Sequence, residues 1–249
     1  MKIGFTSTSL RNYNIGEVVG FAVKCKADVI EWGTDFHIKT VDDALKAKML
    51  CDENGITIRS LGTYYKIGSN NIDEFKNICE LGKICSAKYL RTWLGEKGSA
   101  DTTQSEYKLL INEALELSDI AASYDLIISN ECHHHTFNDT TASSLKFIED
   151  SHNFIKTYYQ SWYVDRKGDF EKLEELFPFV SDVHISFSEL KKFQNGFIKD
   201  EAFITDILRR FYDKNFDGCI LIEFTEDNKG ENLIEDINRI RRILTGFNA

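Results

Sequence analysis

Five ionisable residues each close a short apolar run in this chain: Glu31 after ADVI, Arg91 after KYL, Glu131 after LIISN, His184 after SDV and Glu223 after CILI. Carboxylates and imidazoles are the side chains that move protons near neutral pH and that ligate divalent cations. Glu131, His184 and Glu223 follow three different runs, so a fold that gathers strand ends brings them together. Oxygen and imidazole ligands completed by solvent suit Mn2+, Mg2+, Co2+ or Zn2+. Each residue also has a plainer reading, with the glutamates as solvated strand ends and His184 as a hydrogen-bonded core histidine. Glutamate is a poor helix cap, and the co-occurrence at three strand ends favours convergence.

The run His133-His134-His135 directly follows Glu131 and Cys132. Adjacent side chains in extended backbone point to opposite sides, so the three cannot share one metal, and His133 is the one that shares a face with Glu131. His134 and His135 then belong to solvent or to the surroundings of the site. Six cysteines (Cys25, Cys51, Cys79, Cys85, Cys132, Cys219) include no C-x-x-C pair, and most lie in apolar periodic segments, as buried thiols do. Only Cys132 has neighbours that could place it in a site.

Residues at strand ends need strands. Candidates are 2–6, 28–32, 57–62, 89–93, 126–131, 153–159, 183–187 and 219–224, separated by segments with apolar residues at helical spacing. Ile72, Phe75, Ile78 and Cys79 form one such face; Phe203, Ile204, Ile207, Leu208 and Phe211 form another. Leu233, Ile234, Ile237, Ile240 and Leu244 form a last, well-ordered one. Thr40, Asn70 or Asn71, and Ser105 stand where capping side chains belong, with acids in the turn that follows. Gly55 and Gly218 each precede an apolar run, as glycines in left-handed turns do after a helix. Strands joined by crossovers of this length are parallel, and eight such units favour a closed (β/α)8 barrel over an open sheet. The G-x-G-x-x-G and G-x-x-x-x-G-K-[ST] loops of nucleotide-binding open sheets do not follow the first strand.

A length of 249 residues fits one barrel domain spanning 1–249, and a single proline leaves no evident linker. A formal net charge of -10 and the lack of a basic patch argue against nucleic acid as a partner. The polar N-terminal stretch and the lack of a long apolar run predict a cytoplasmic protein without a membrane partner. Composition says nothing about oligomeric state.

The segments IEWGTDFHI (30–38), SLGTYYKIGS (60–69), LRTWLGEKGSAD (90–101) and ECHHHTFNDT (131–140) resemble, in this order and spacing, the xylose-isomerase-like TIM-barrel superfamily. That superfamily includes sugar and sugar-phosphate isomerases and epimerases, endonuclease IV and dehydroshikimate dehydratase. The resemblance implies a divalent metal held by Glu, Asp, His and Glu at strands five to eight. Carried over by residue, Glu131, His184 and Glu223 match; at strand six Gln160 stands in place of the aspartate, and Asp165 is the next acid along. The chain thus looks like the branch with an aromatic-Gln pair at that strand. Losing one anionic ligand forfeits about 4 kcal/mol of direct attraction per unit charge at contact distance, which desolvation partly offsets. Weaker metal binding, or its loss, is expected.

What the resemblance implies about activity is proton transfer next to a carbonyl of a sugar or sugar-like substrate, with Glu131 and Glu223 as acid and base. Glu31, Trp32, His37, Tyr64, Arg91, Trp93 and His133 are candidate substrate contacts, and Lys97 a further one for an anionic group. A dehydratase would use the same base and metal. A degenerate barrel that binds a sugar without turning it over is a third reading, which Gln160 favours.

Overall fold

Alternating short apolar strands and amphipathic helices dictate the architecture. The computed structural model describes residues 1–161, 166–188, 193–194, 197–198 and 200–248; Asp165 lies outside them. Eight parallel strands close a barrel: β1 (Lys2–Thr6), β2 (Val29–Gly33), β3 (Thr57–Ile67), β4 (Tyr89–Leu94), β5 (Ile127–Asn130), β6 (Lys156–Gln160), β7 (Val180–Ile185) and β10 (Cys219–Ile222). Strand β10 pairs with both β1 and β7, which completes the ring. A short antiparallel hairpin, β8 (Phe193–Gln194) and β9 (Phe197–Ile198), sits after β7. Helices α1 (Ile15–Cys25), α2 (Val41–Glu53), α3 (Ile72–Ile84), α4 (Gln104–Ser123), α5 (Thr141–Asp150), α6 (Arg166–Leu176), α7 (Glu201–Asp213) and α8 (Gly230–Thr245) follow the strands. The result is a single-domain (β/α)8 TIM barrel.

Two apolar layers hold it. The larger lies between strands and helices; in α8, Leu233, Ile237 and Ile240 are fully buried at helical spacing, each contributing about 1.5–3 kcal/mol. The smaller comprises Val29, Tyr158, Cys219 and Leu221. Val29, Tyr158 and Leu221 each stand two residues before Glu31, Gln160 and Glu223, and Cys219 two before Leu221, so all share the barrel interior.

Thr40 and Asn71 cap α2 and α3 as expected. For α4 the cap is Thr103, two residues before Ser105: its hydroxyl accepts from Glu106 N, and Glu106 reaches back to Thr103 N, a reciprocal pair that serine at 105 has no acid to complete. Gly55 does adopt positive φ, but Gly218 does not; the left-handed residue there is Asn215. Glycine is required at 218 for space, since a Cβ would lie 2.2 Å from Ser181 O. Strand ends also shift. Strand β3 runs on to Ile67, β6 starts at Lys156 because His152 and Asn153 turn at positive φ, and β7 starts at Val180 directly after a 3-10 turn through Pro178.

Candidate active site

Glu31, Arg91, Glu131, Gln160, His184 and Glu223 meet at the C-terminal mouth of the barrel. Register explains why. Gln160 lies beside His184 and Tyr158 beside Asp182 across β6 and β7, and Glu31 lies beside Ser60 across β2 and β3. Neighbours in register on parallel strands share a face, which here is the interior. All but Gln160 are buried, in a chain where charged side chains are mostly at the surface. Burial without partners would cost several kcal/mol per charge, so the partners decide what the cluster does.

Arg91 is the anchor. One of its terminal nitrogens ion-pairs with Glu131, and its Nε lies 3.0 Å from Glu31 Oε1. Burial pushes the guanidinium pKa down, but Glu131 and Glu31 outweigh it and hold the group above its ordinary value. Glu31 Oε2 accepts hydrogen bonds from Ser60 Oγ (2.8 Å) and the Tyr158 hydroxyl (2.7 Å). Burial alone would raise the Glu31 carboxyl; Arg91, His184 and Tyr158 overcome that and lower it to about 2. Glu131, also buried, is held well below the usual carboxylate range by Arg91 and His184, with Trp93 Nε1 donating to its Oε2 at 2.8 Å. Gln160 Nε2 donates to Glu223 Oε2 at 3.1 Å.

His184 sits among three carboxylates. Its Nδ1 is 3.6 Å from Glu131 Oε1 and 3.3 Å from Glu223 Oε2, and its Nε2 is 3.6 Å from Glu31 Oε1. Burial depresses the imidazole pKa, but Glu223, Glu131 and Glu31 together hold it well above histidine's ordinary value. Among the described residues, neither ring nitrogen meets a partner in hydrogen-bond geometry. One ligand atom from each of Glu131, His184 and Glu223 lies within 4.8 Å of the others, a donor set that could hold a metal ion. The buried, unpaired Nδ1 facing two carboxylates is what such an ion would satisfy.

An aromatic wall flanks the cluster. Trp93 stacks on His133 with ring centroids 4.6 Å apart and meets Tyr64 edge-on at 5.1 Å, with Lys66 over its face. Tyr64, Trp93 and His133 are thus brought together with Glu131. Trp32 and His37 are not. Trp32 is fully buried on the opposite side of β2 from Glu31, beside the Cys51 thiol of α2, and His37 spends both ring nitrogens on Ser7 Oγ and Tyr13 O. Those contacts tie both residues into the packing around β2. Lys97 pairs with Glu106 in solvent. The Cys132 sulfur faces Ser144 and Thr157 among buried groups, and all six cysteines are buried and unbridged.

Four residues that hold the cluster escape sequence reasoning. Tyr158 and Ser60 sit mid-strand, and only the register with Glu31 reveals their role. Lys172, on α6, donates to the Gln160 carbonyl oxygen at 2.8 Å, and burial pushes its pKa down to about 8. Gly62 is the fourth case: a Cβ there would stand 2.9 Å from both Arg91 and Glu31 Oε1, so the absence of a side chain leaves room for the pair.

Known proteins share this arrangement of strands and helices. A curated 3-dehydroshikimate dehydratase of Bacillus anthracis is 22% identical over 198 residues, 74% of this chain and 71% of that protein. The structure of the 3-keto-D-glucoside 4-epimerase YcjR from E. coli superposes with a TM-score of 0.74 at 15% identity, covering 98% of this chain and 99% of the other. That of the IOLI protein with a bound zinc atom gives 0.75 at 18% identity, covering 99% and 97%. Among the described residues no helix is long and apolar enough to cross a membrane. The model of the xylose isomerase-like TIM barrel matches residues 19–243, and the chain belongs to that family.

Proposed function

We propose that this barrel catalyses metal-assisted proton transfer at a carbon next to a carbonyl of a small sugar or sugar-like substrate, that is, an isomerisation or epimerisation. The observation that carries the reading is the placement of the Glu131 and Glu223 carboxylates on either hand of His184 Nδ1, at 3.6 and 3.3 Å. Glu131, His184 and Glu223 would hold a divalent cation, with the Gln160 side chain in the fourth position; such an ion, whether Mn2+, Mg2+, Co2+ or Zn2+, supplies polarisation of the carbonyl and neutralises the charge that forms on it. Glu131 and Glu223 exchange the proton, one as base and the other as acid. Arg91 and Trp93 fix the Glu131 carboxylate in place, so little reorganisation accompanies reaction. Tyr64, Trp93 and His133 offer apolar faces to a sugar ring.

A dehydratase reading is favoured by the curated Bacillus anthracis relative. It uses the same proton abstraction, followed by loss of a hydroxyl group one carbon further on. Ketoses, polyols and 3-dehydroshikimate incubated in deuterated water with and without Mn2+ separate the two. Solvent deuterium entering a ketose with inversion or carbonyl migration supports the isomerase; an aromatic product from dehydroshikimate supports the lyase. Turnover of neither, with sugar still bound, would leave a degenerate sugar-binding barrel.

A further inference from the structure

We propose that Glu31 is a positioning residue for His184: its carboxylate accepts the imidazole Nε2–H and so leaves Nδ1 as the bare nitrogen facing Glu131 and Glu223. The role rests on the metal reading of that nitrogen given above, and goes beyond it by fixing which tautomer the site uses and which residue fixes it.

The two ring nitrogens face different groups. Nδ1 looks toward Glu131 Oε1 and Glu223 Oε2, whereas the carboxylate that Nε2 meets among the described residues is Glu31, with Oε1 3.6 Å away. Nε2 and Glu31 Oε1 are both buried and both without a hydrogen-bond partner. Leaving a buried donor or acceptor unmade costs about 1–3 kcal/mol each, and an approach of a few tenths of an ångström joins these two. The form of the imidazole that binds a cation is neutral and carries one N–H, the ion having displaced the other proton. With that proton on Nε2, the lone pair falls on Nδ1, on the side where the other two ligands stand; with it on Nδ1, the lone pair would point at a carboxylate.

Glu31 is built to stay where it is. Ser60 and Tyr158 hold its Oε2, Arg91 Nε lies 3.0 Å from its Oε1, and Tyr158 also packs its ring on His184 with centroids 4.7 Å apart. Gly62 leaves the space that Oε1 occupies. At 1% exposure, and with these partners, Glu31 faces the histidine and not the opening of the pocket. Its place after ADVI suggested a substrate contact; its neighbours assign it to His184.

The test is carried out on the full chain. Nitrogen NMR of the Zn2+-loaded wild-type protein should show His184 coordinated through Nδ1, with a slowly exchanging proton on Nε2. Calorimetry with Mn2+ should show Glu31→Gln binding 10- to 100-fold more weakly than wild type, roughly the loss that removal of such a partner brings. Gly62→Ala, which displaces Oε1 without deleting a charge, should weaken binding in the same direction. Ile237→Ala, which lowers stability from the helix layer outside the barrel, should leave Mn2+ affinity unchanged and so separates orientation from general loosening. Zinc on Nε2, or full Mn2+ affinity in folded Glu31→Gln, overturns the positioning role and leaves the metal reading standing. A wild-type protein that binds neither ion overturns the metal reading and this role with it.

Discussion

Among the described residues the barrel holds two arginine–carboxylate clusters, one with a half-buried arginine and one with a buried arginine, and they are built to different standards. At the bottom, Asp182 accepts from Arg59 Nε at 2.9 and 3.1 Å and from Cys219 N at 2.8 Å; Arg59 also donates to Ser181 O and lies over the Tyr89 ring. Neither residue is left with a buried unpaired atom. At the mouth, Arg91 and His184 face three glutamates, and Glu31 Oε1, Arg91 Nε and both His184 nitrogens lack a hydrogen bond. A saturated pair fixes strands to each other. An unsaturated one retains donors and acceptors for something that enters, at a cost to the resting fold. Position in the barrel agrees, since working residues gather at the C-terminal end and stabilising ones at the other.

If that division holds, substitutions at the two ends should fail in different assays. Glu131→Gln and Glu223→Gln should each lower kcat by about 10²- to 10⁴-fold on an established substrate while the urea midpoint changes little. Near wild-type kcat in either variant would remove that residue from the acid–base pair. Arg59→Met leaves Asp182 a buried carboxylate without its cation, held among the described residues only by Cys219 N, and should cost about 3–5 kcal/mol in urea denaturation, with kcat retained by the folded fraction. A loss of kcat without a loss of stability would contradict the division.

The mouth should also show itself in acid. A carboxyl lowered to about 2 in the folded chain contributes stability that is fully present above its unfolded value, near 4.5, and is lost as pH falls toward 2. For Glu31 that contribution is up to about 3 kcal/mol. Denaturation between pH 5 and pH 2.5 should therefore weaken wild type more than Glu31→Gln, and parallel losses would show that Glu31 gains nothing from its cationic neighbours. The smallest effect concerns Gln160. Gln160→Asp adds an anionic ligand at the same strand position and should tighten Mn2+ binding about tenfold, or about 1.4 kcal/mol. Desolvation and the shorter side chain keep that below the direct Coulomb attraction. Unchanged affinity would place residue 160 outside the ligand set.

The residues that sequence reading found and those it missed divide along the same line. Strand-end acids are conspicuous because a charge after an apolar run has few places to go, which is why Glu131, His184 and Glu223 could be named before any coordinates. Period and length likewise reveal the eight βα units. Register across strands is invisible in one dimension, so Ser60, Tyr158 and Gly62 gave no local signal, and neither Arg59, inside the candidate strand 57–62, nor Asp182, just before the candidate strand 183–187, pointed to the other. Trp32 and His37 illustrate the other side: the IEWGTDFHI motif made them candidate contacts, whereas strand alternation sends Trp32 to the helix layer, and Ser7 and Tyr13 hold His37.

The account stands on Glu131, His184 and Glu223 forming one metal centre, and anomalous diffraction from Mn2+-soaked crystals tests that most directly. The predicted result is a single strong peak about 2.0–2.4 Å from a carboxylate oxygen of Glu131, Nδ1 of His184 and a carboxylate oxygen of Glu223. No peak at the barrel mouth, or one bound instead by His134 or His135 on the loop outside, would contradict it.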